Sequence, residues 1–256
     1  MFGIFGGKSS LVAKDMALKG RASPMKISPT HFVLNTPMQP PWPQNMKVAV
    51  FANGCFWGSE KGAWRLPFGI HSTAVGYAAG YTPNPTYEEV CSGQTGHTEA
   101  VQVVYDPSKI SFVDIMRWFW ESHDPSQGMG QGNDRGTQYR SGFYYFDDEQ
   151  KELLERSKEA YEKAIGKKIT TEIKAASDYD QVFYYAEDYH QQYLAKPGAR
   201  PYCSAQPLSI PLPDFESWAP AHLSAHAPKL PKAFWDKHAP TPHCVIRAPH
   251  APIQFP

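Results

Sequence analysis

The sequence predicts an α+β fold, a two-layer domain in which helices pack on a mixed β-sheet. Short runs typical of strands occur at residues 47–52, 71–77 and 98–105, interspersed with amphipathic helical patterns. Strands and helices do not alternate strictly, which disfavours a parallel sheet built from βαβ units. A chain of 256 residues suits one domain of ordinary size with extensions.

The predicted elements begin with an apolar strand at residues 47–52 (KVAVFA), which Asn53-Gly54 ends. Residues 55–66 predict a short helix rich in aromatic side chains, and residues 71–77 predict a second strand. Residues 80–87 (GYTPNPTY) are typical of a turn, because two prolines flank an asparagine.

The strand predicted at residues 98–105 alternates, so that Val101, Val103 and Tyr105 share one face. By the same period Glu99 lies on that face. A carboxylate in line with core residues is unusual, which makes Glu99 a candidate site residue.

The second half of the domain predicts further elements around a glycine-rich loop. A helix at residues 111–123 opens with an S-x-x-D start and has apolar residues at helical spacing. The remaining predictions, in order, are a loop at 124–140, an aromatic strand at 142–146, a helix at 148–165 ended by Gly166, a strand at 169–175 and a short helix at 186–194.

Three segments divide the chain. Residues 1–46 predict an extended or flexible arm, residues 47–203 the catalytic domain, and residues 204–256 a tail rich in proline and histidine. Thirteen of the 24 prolines fall in residues 197–256, so this part cannot form regular backbone ladders and is expected to wrap on the core or to be partly mobile. We favour a cytoplasmic protein with a flexible arm. Because the start of the chain is basic, a plastid or mitochondrial transit segment stays open as the alternative.

Composition excludes several classes of function. Lys plus Arg (25) equals Asp plus Glu (25), so no global field attracts nucleic acid or an anionic membrane, and no apolar run is long enough to span a bilayer. Four cysteines are far apart, with no C-x-x-C, so neither a disulfide framework nor a zinc site is expected. The pair His222 and His226 is a weak metal signal, and we expect no metal or bound cofactor.

Cys55 is the first candidate for chemistry. It lies in G-C-F-W-G between a predicted strand and a predicted helix, where backbone N–H groups and the helix dipole favour a thiolate. A buried, unreactive thiol is the alternative. Glu99 and the polar loop at residues 132–140 could line a pocket with it, or could face solvent.

Together these residues resemble the peptide methionine sulfoxide reductase A family. G-C-F-W-G is that family's nucleophile motif, and four more motifs follow in the family's order within residues 47–203. They are Y-T-P-N-P-T-Y-E-E-V-C-S-G-Q-T-G-H-T-E (81–99), H-D-P (123–125), Q-G-N-D-R-G-T-Q-Y-R-S (131–141) and A-E-D-Y-H-Q-Q-Y-L (186–194).

The resemblance implies a ferredoxin-like α+β fold on a mixed sheet, and it assigns roles. Cys55 corresponds to the attacking cysteine, and Phe56 and Trp57 to the pocket for the substrate methyl group. The groups that hydrogen-bond the sulfoxide oxygen correspond to Glu99, Tyr87 and Tyr139, with Asp134 as a supporting acid and Cys203 as the first resolving cysteine.

Two departures from the family pattern concern Glu99 and the resolving cysteines. The usual G-H-A-E is G-H-T-E here. Many members have a further cysteine soon after the resolving one, whereas here Cys203 is followed by none until Cys244, so a second resolving role for Cys244 stays open.

The implied reaction is thiol-dependent reduction of methionine S-sulfoxide, free or in peptides. The Cys55 thiolate attacks sulfur while a protonated Glu99 supplies a proton, and tyrosine hydroxyls stabilise the developing charge. The resulting sulfenic acid condenses with Cys203 to a disulfide, which an external dithiol, expected to be thioredoxin, reduces. We expect a monomer that takes part in protein repair under oxidative stress.

Two other functions remain open from the residues themselves. A cysteine hydrolase would need a histidine base, for which His97, His123 and His190 are candidates. A module that only binds thioether side chains would need no reactive thiol.

Overall fold

The computed structural model describes residues 9–255 and shows a six-stranded sheet packed with helices. The strands are β1 (Lys47–Asn53), β2 (Ile70–Ala78), β3 (Thr98–Tyr105), β4 (Gly130–Gln131), β5 (Asp134–Arg135), β6 (Ser141–Tyr145), β7 (Glu172–Ala175) and β8 (Phe183–Tyr185). The helices are α1 (Phe56–Trp64), α2 (Tyr87–Cys91), α3 (Phe112–Glu121), α4 (Asp148–Ile165), α5 (Lys232–His238) and α6 (Cys244–Arg247). Strands β4 and β5 form a separate two-stranded hairpin.

The sheet is mixed, as predicted. Its strand order is β7-β6-β1-β3-β2-β8, in which only β6 and β7 pair in parallel. The antiparallel register sets Phe51 of β1 opposite Val101 of β3, and Tyr77 of β2 opposite Glu99. Glu99 thus lies on β3, a central strand that pairs with β1 along one edge and with β2 along the other.

The two faces of the sheet are covered differently. One face carries Phe51, Val101 and Phe143 and packs against α1, α3, α4 and the C-terminal tail. The other face is covered by parts of the N-terminal arm, including Met38, and by the segment before β8. The arm is fixed further by His31, whose Nε2 lies 2.9 Å from the Thr73 hydroxyl of β2.

The long helices begin and end where the sequence predicts. Ser111 and Asp114 form a capping box at the start of α3, which satisfies N–H groups that the helix itself leaves unpaired. Helix α4 spans the predicted residues and ends at Gly166, whose φ of +64° is a left-handed conformation that favours glycine.

The predicted short helix at residues 186–194 is wrong. Two 3₁₀ turns, Asp188–His190 and Tyr193–Ala195, stand there instead. Gln192 separates them in a left-handed conformation (φ +47°), and its backbone N–H and side-chain amide both bond to the buried carboxylate of Glu60, at 2.8 and 2.7 Å. A bond to a distant side chain therefore overrides the local helical pattern.

The proline-rich tail wraps on the core. Leu223, Phe234, Trp235 and Val245 are buried with the helices. Tail backbone N–H groups bond to core carboxylates, such as Leu212 to Glu121 at 2.8 Å. These bonds replace the regular ladders that proline prevents.

If the tail is part of the folded core, Trp235→Ala should destabilise the protein strongly. Trp235 is 1% exposed, and the Arg117 guanidinium lies 4.7 Å from the centre of its ring. Loss of a buried tryptophan costs about 3–5 kcal/mol. Denaturant unfolding would measure this, with the exposed Lys232→Ala on the same helix as control, expected within about 0.5 kcal/mol of wild type. Equal stability of the two variants would contradict an integral tail.

Candidate active site

Cys55 lies at the junction of β1 and α1. Gly54 turns the chain there with φ +95°, and a Cβ at this position would lie 2.7 Å from the side chain of Gln131. Cys55 is the N-cap residue of α1 and is half-buried. The junction therefore presents the thiol at the start of a helix, as the sequence predicts.

Glu99 is buried beside this junction. Its side chain is 2% exposed, and Oε2 accepts a hydrogen bond of 3.0 Å from the backbone N–H of Phe56, the residue after Cys55. Burial raises the pKa of Glu99 to about 8, and Asp134 adds to the rise. The carboxyl group is therefore protonated at neutral pH, and its other oxygen can carry and donate that proton.

The free protein does not favour a Cys55 thiolate, contrary to the expectation from the helix start. Burial raises the pKa of the Cys55 thiol well above its ordinary value, and the Glu99 carboxyl raises it further. The backbone N–H of Trp57 lowers the pKa, but by less than these two effects raise it. Cys55 and Glu99 thus form a neutral pair in the ligand-free site.

The structure brings Tyr87 and Tyr139 to the same pair. Tyr87 begins α2, where its N–H donates to Glu187 Oε1 at 2.8 Å, and Tyr139 ends the 3₁₀ turn Thr137–Tyr139. Burial and then the Glu99 carboxyl raise the pKa of both hydroxyls far above the ordinary value. Both hydroxyls remain protonated and can act as hydrogen-bond donors, and the Tyr87 side chain is hydrogen-bonded to Cys91 in the ligand-free site.

Asp134 is joined to the segment that carries Cys203. Its carboxylate accepts hydrogen bonds from Tyr202, with an O–O distance of 2.5 Å, and from the Ser204 hydroxyl. Two bonds, one on each side of Cys203, fix where that cysteine lies. Asp134 also contributes to the raised pKa of Tyr139.

Cys203 packs on α1 one turn beyond Cys55. A Cβ at Gly58 would lie 2.7 Å from the Cys203 sulfur, so the glycine permits the sulfur to approach the helix backbone. Both cysteines are free thiols. Burial raises the pKa of Cys203 to about 11, with a contribution from Cys244.

Cys244 joins Cys203 at the wall of one small cavity. This cavity has a volume of about 20 Å³ and is also lined by Gly58 and Val245. Forty residues of tail separate the two cysteines in the sequence, and only the path of the tail over the helices brings them together.

The aromatic residues after Cys55 pack against His190 and Tyr193. Trp57 stacks on Tyr193 with ring centres 4.0 Å apart, and its Nε1 donates to His190 Nδ1 at 3.0 Å. The Phe56 ring lies 5.1 Å from His190. Sequence reasoning assigned no role to Tyr193 and treated His190 only as a possible base, although both stand in the A-E-D-Y-H-Q-Q-Y-L motif.

The three candidate histidine bases are bonded elsewhere. His97 contacts the Gly80 N–H and the Thr82 carbonyl, His123 contacts the Phe119 carbonyl, and His190 accepts from Trp57. Burial lowers the pKa of each to about 4. None of these bonds joins a histidine to Cys55, which a cysteine–histidine hydrolase would need.

The described part of the chain contains no cluster of three or more His, Cys, Asp or Glu side chains that could hold a metal ion. His222 and His226, the weak metal signal, bond instead to Glu152 and Glu149 of α4 at 2.9 and 3.0 Å. None of the helices between residues 9 and 255 has both the length and the apolar character needed to cross a bilayer.

Comparison with known proteins gives one consistent family. The model of the family described as peptide methionine sulfoxide reductase matches residues 47–212. The chain is 51% identical over 216 residues to peptide methionine sulfoxide reductase MsrA 1 of Synechocystis sp., covering 83% of this chain and 95% of that protein. It is 52% identical over 210 residues to MsrA of Saccharophagus degradans, covering 80% and 95%.

Solved structures agree with these relatives. Methionine sulfoxide reductase A of Corynebacterium diphtheriae superposes with a TM-score of 0.65 at 40% identity, covering 79% of this chain and 99% of that one. Mxr1 of Saccharomyces cerevisiae in its reduced form gives a TM-score of 0.57 at 35% identity, covering 64% and 91%.

Proposed function

This chain belongs to the peptide methionine sulfoxide reductase family and reduces methionine sulfoxide, and we propose that Cys55 is its nucleophile and Glu99 its proton donor. The observation that carries the proposal is the 3.0 Å bond from the N–H of Phe56 to Glu99. It ties a buried, protonated carboxyl group to the residue next to the thiol.

The neutral pair suits the chemistry of a sulfoxide. The sulfur of S=O is electrophilic, but its oxygen leaves sulfur only when it gains a proton. Glu99 gives its proton to the oxygen and takes up the proton that Cys55 loses as its sulfur attacks. The Cys55 sulfur first bonds to the substrate sulfur, and the protonated oxygen then moves from that sulfur to the Cys55 sulfur. The S–O bond to the substrate and the new S–S bond both break, the oxygen ends as a hydroxyl on the Cys55 sulfur, and the thioether methionine leaves.

The other predicted residues bind the substrate in this proposal. The hydroxyls of Tyr87 and Tyr139 donate to the sulfoxide oxygen as negative charge develops on it. Phe56 and Trp57 hold the methyl group, with Trp57 kept in place by its stack on Tyr193. A methyl pocket on one side and oxygen donors on the other distinguish the two sulfur epimers, and we assign the S epimer.

Regeneration begins with Cys203. Its thiol condenses with the Cys55 sulfenic acid, a disulfide forms and water leaves. The position of Cys203 over Gly58 supports this step. The cavity that Cys203 shares with Cys244 supports a second exchange, in which Cys244 attacks Cys203, frees Cys55 and moves the disulfide to the tail.

The remaining parts of the proposal concern partners and compartment. Thioredoxin is the external dithiol, since its two thiols can reduce an intramolecular disulfide without leaving a mixed disulfide on the enzyme. Oxidised proteins are the substrates. The enzyme works as a monomer in the cytoplasm, where sparse free cysteines such as these stay reduced.

Cys203→Ser is expected to separate reduction from regeneration. The variant should still form about one methionine per enzyme in a single turnover, because attack at sulfur needs only Cys55, but it should lose cycling with thioredoxin. Quantifying methionine with and without thioredoxin tests this, and full cycling would move the resolving role to Cys244.

Mass spectrometry of the oxidised enzyme tests the second exchange. After one equivalent of methionine sulfoxide, wild type should carry a Cys203–Cys244 disulfide, and Cys244→Ser should instead accumulate Cys55–Cys203. A Cys55–Cys203 disulfide in both proteins would remove Cys244 from the pathway.

A further inference from the structure

A second, larger cavity has Cys244 in its lining but not Cys203. Its volume is about 270 Å³, and it lies between the end of α1, helix α3 and the tail helix α5. We call it the basic cavity, because its lining includes Arg65, Lys237 and His238 and, among the described residues, neither Asp nor Glu. The proposed reductase chemistry uses none of these three side chains.

Three residues that line this cavity carry a buried side-chain nitrogen without a hydrogen-bond partner. Arg65 Nε, Trp118 Nε1 and His238 Nε2 are buried and have no hydrogen-bond partner in the described structure. Trp118 is only 6% exposed, so water does not readily replace a missing acceptor. A buried donor left unpaired costs about 1–3 kcal/mol.

Lys237 and Arg65, the two cations of the basic cavity, act on the same imidazole, that of His238. Lys237 and Arg65 both add to the effect of burial in lowering the pKa of His238. The nearest acid on α5, Asp236, is bonded to Lys232 at 2.6 Å. The lining thus offers the charges of Lys237 and Arg65, and a carboxylate matches an arginine fork.

Cys244 places a thiol in the wall of this cavity. It lines both the basic cavity and the small cavity that holds Cys203. The Cys244 sulfur also raises the pKa of Arg65, opposing the larger effect of burial, so the guanidinium and the sulfur are neighbours. A carboxylate held by Arg65 would thus bring the rest of its molecule against Cys244, between apolar walls that include Leu66 and Phe234.

We propose that the basic cavity binds a small thiol that carries a carboxylate and that this thiol reduces the enzyme at Cys244. The inference rests on the proposed Cys203–Cys244 disulfide. The ligand thiolate attacks the Cys244 sulfur, a ligand–Cys244 disulfide forms, and Cys203 leaves as a thiolate that takes up a proton. A second ligand thiol attacks the ligand sulfur, releasing Cys244 as a thiol and the ligand as its own disulfide. Two ligand thiols are oxidised and one protein disulfide is reduced.

Three thiols of similar size and different charge test the proposal. Turnover of methionine sulfoxide is measured with 3-mercaptopropionate, 2-mercaptoethanol and cysteamine, in wild type, Arg65→Gln and Lys237→Gln. Loss of a cation should lower the rate with 3-mercaptopropionate about tenfold, because charged clefts raise the local concentration of an oppositely charged reactant. The rate with 2-mercaptoethanol should change by less than about twofold, and cysteamine should gain.

Lys232→Gln is the matched control, since this exposed lysine lies on the same helix and outside the cavity. It should keep the wild-type order of the three thiols. The same fractional change for all three thiols in Arg65→Gln and Lys237→Gln would overturn the proposal, whereas turnover with dithiothreitol would show that the reductase function itself stands.

Alkylation of the reduced enzyme checks the cavity without any disulfide. In wild type, the ratio of iodoacetate to iodoacetamide labelling at Cys244 should exceed that in Lys237→Gln by about tenfold. Equal ratios would overturn the binding site. If Cys244 forms no disulfide in the oxidised wild type, the reductant role falls with the second exchange, even where labelling depends on charge.

Discussion

Cys55→Ser is expected to abolish methionine sulfoxide reduction, with a loss of about 10³-fold or more in the single-turnover rate. A serine hydroxyl is a far weaker nucleophile than a thiol, and it cannot form the sulfenic acid on which regeneration depends. Single-turnover formation of methionine, measured by chromatography with enzyme in excess, would give this rate directly.

Cys203→Ser in the same assay is the control, because it removes a thiol from the site and should keep the first turnover. Residual activity of Cys55→Ser near wild type would end the proposed mechanism. The same variant distinguishes an enzyme from a binding module. A binding module would keep its affinity for methionine peptides in Cys55→Ser and would consume no reducing equivalents.

Glu99→Gln is expected to lower the single-turnover rate by about tenfold or more, the effect of a lost general acid. In wild type the pKa of Glu99 is about 8 because the carboxyl is buried. The carboxyl is protonated below this pH and loses its proton above it, so the wild-type rate should fall as pH rises through about 8. The amide of Glu99→Gln has no proton to lose, and its rate should show no step in that range.

The melting temperature of Glu99→Gln distinguishes a lost proton donor from a damaged fold. The folded state holds the Glu99 proton up to about pH 8, whereas the unfolded chain loses it near the ordinary value of 4.5. Unfolding therefore releases a proton between these values, and the contribution of Glu99 to stability decreases as pH rises through that window. Glu99→Gln should thus melt at or above the wild-type temperature at pH 7. An unchanged rate and pH profile in this variant would remove Glu99 from the chemistry.

The candidate site residues and a protonated Glu99 could be proposed from the sequence, but a neutral Cys55 could not. The motif around Cys55 and the alternation of β3 pointed to both members of the pair. The sequence also suggested a thiolate, because a helix start favours negative charge. The structure buries Cys55 beside Glu99, and desolvation with a neighbouring carboxyl outweighs the helix effect on the pKa. Desolvation depends on everything packed around a group, which a local motif does not contain.

Two further differences have the same origin. The pattern at residues 186–194 is locally helical, yet Gln192 bonds to Glu60, 132 residues earlier, and the helix is replaced by two turns. Those turns hold His190 and Tyr193 against Trp57. The sequence of the tail likewise has no hydrophobic period from which its path could be predicted. Its proline-rich backbone is held instead by scattered bonds to carboxylates of the core.

By itself, the sequence determined the α+β class, the approximate limits of the long helices and central strands, and the cysteine proposed as the nucleophile. These features follow from hydrophobic period, capping residues and short motifs, whose physical causes act within a few neighbouring residues. Only the tertiary structure decided that Cys55 and Glu99 are neutral together, that Cys203 lies over Gly58, and that Cys244 stands between Cys203 and a basic cavity. Burial, electrostatic coupling and the path of an irregular tail arise from contacts between residues far apart in the chain.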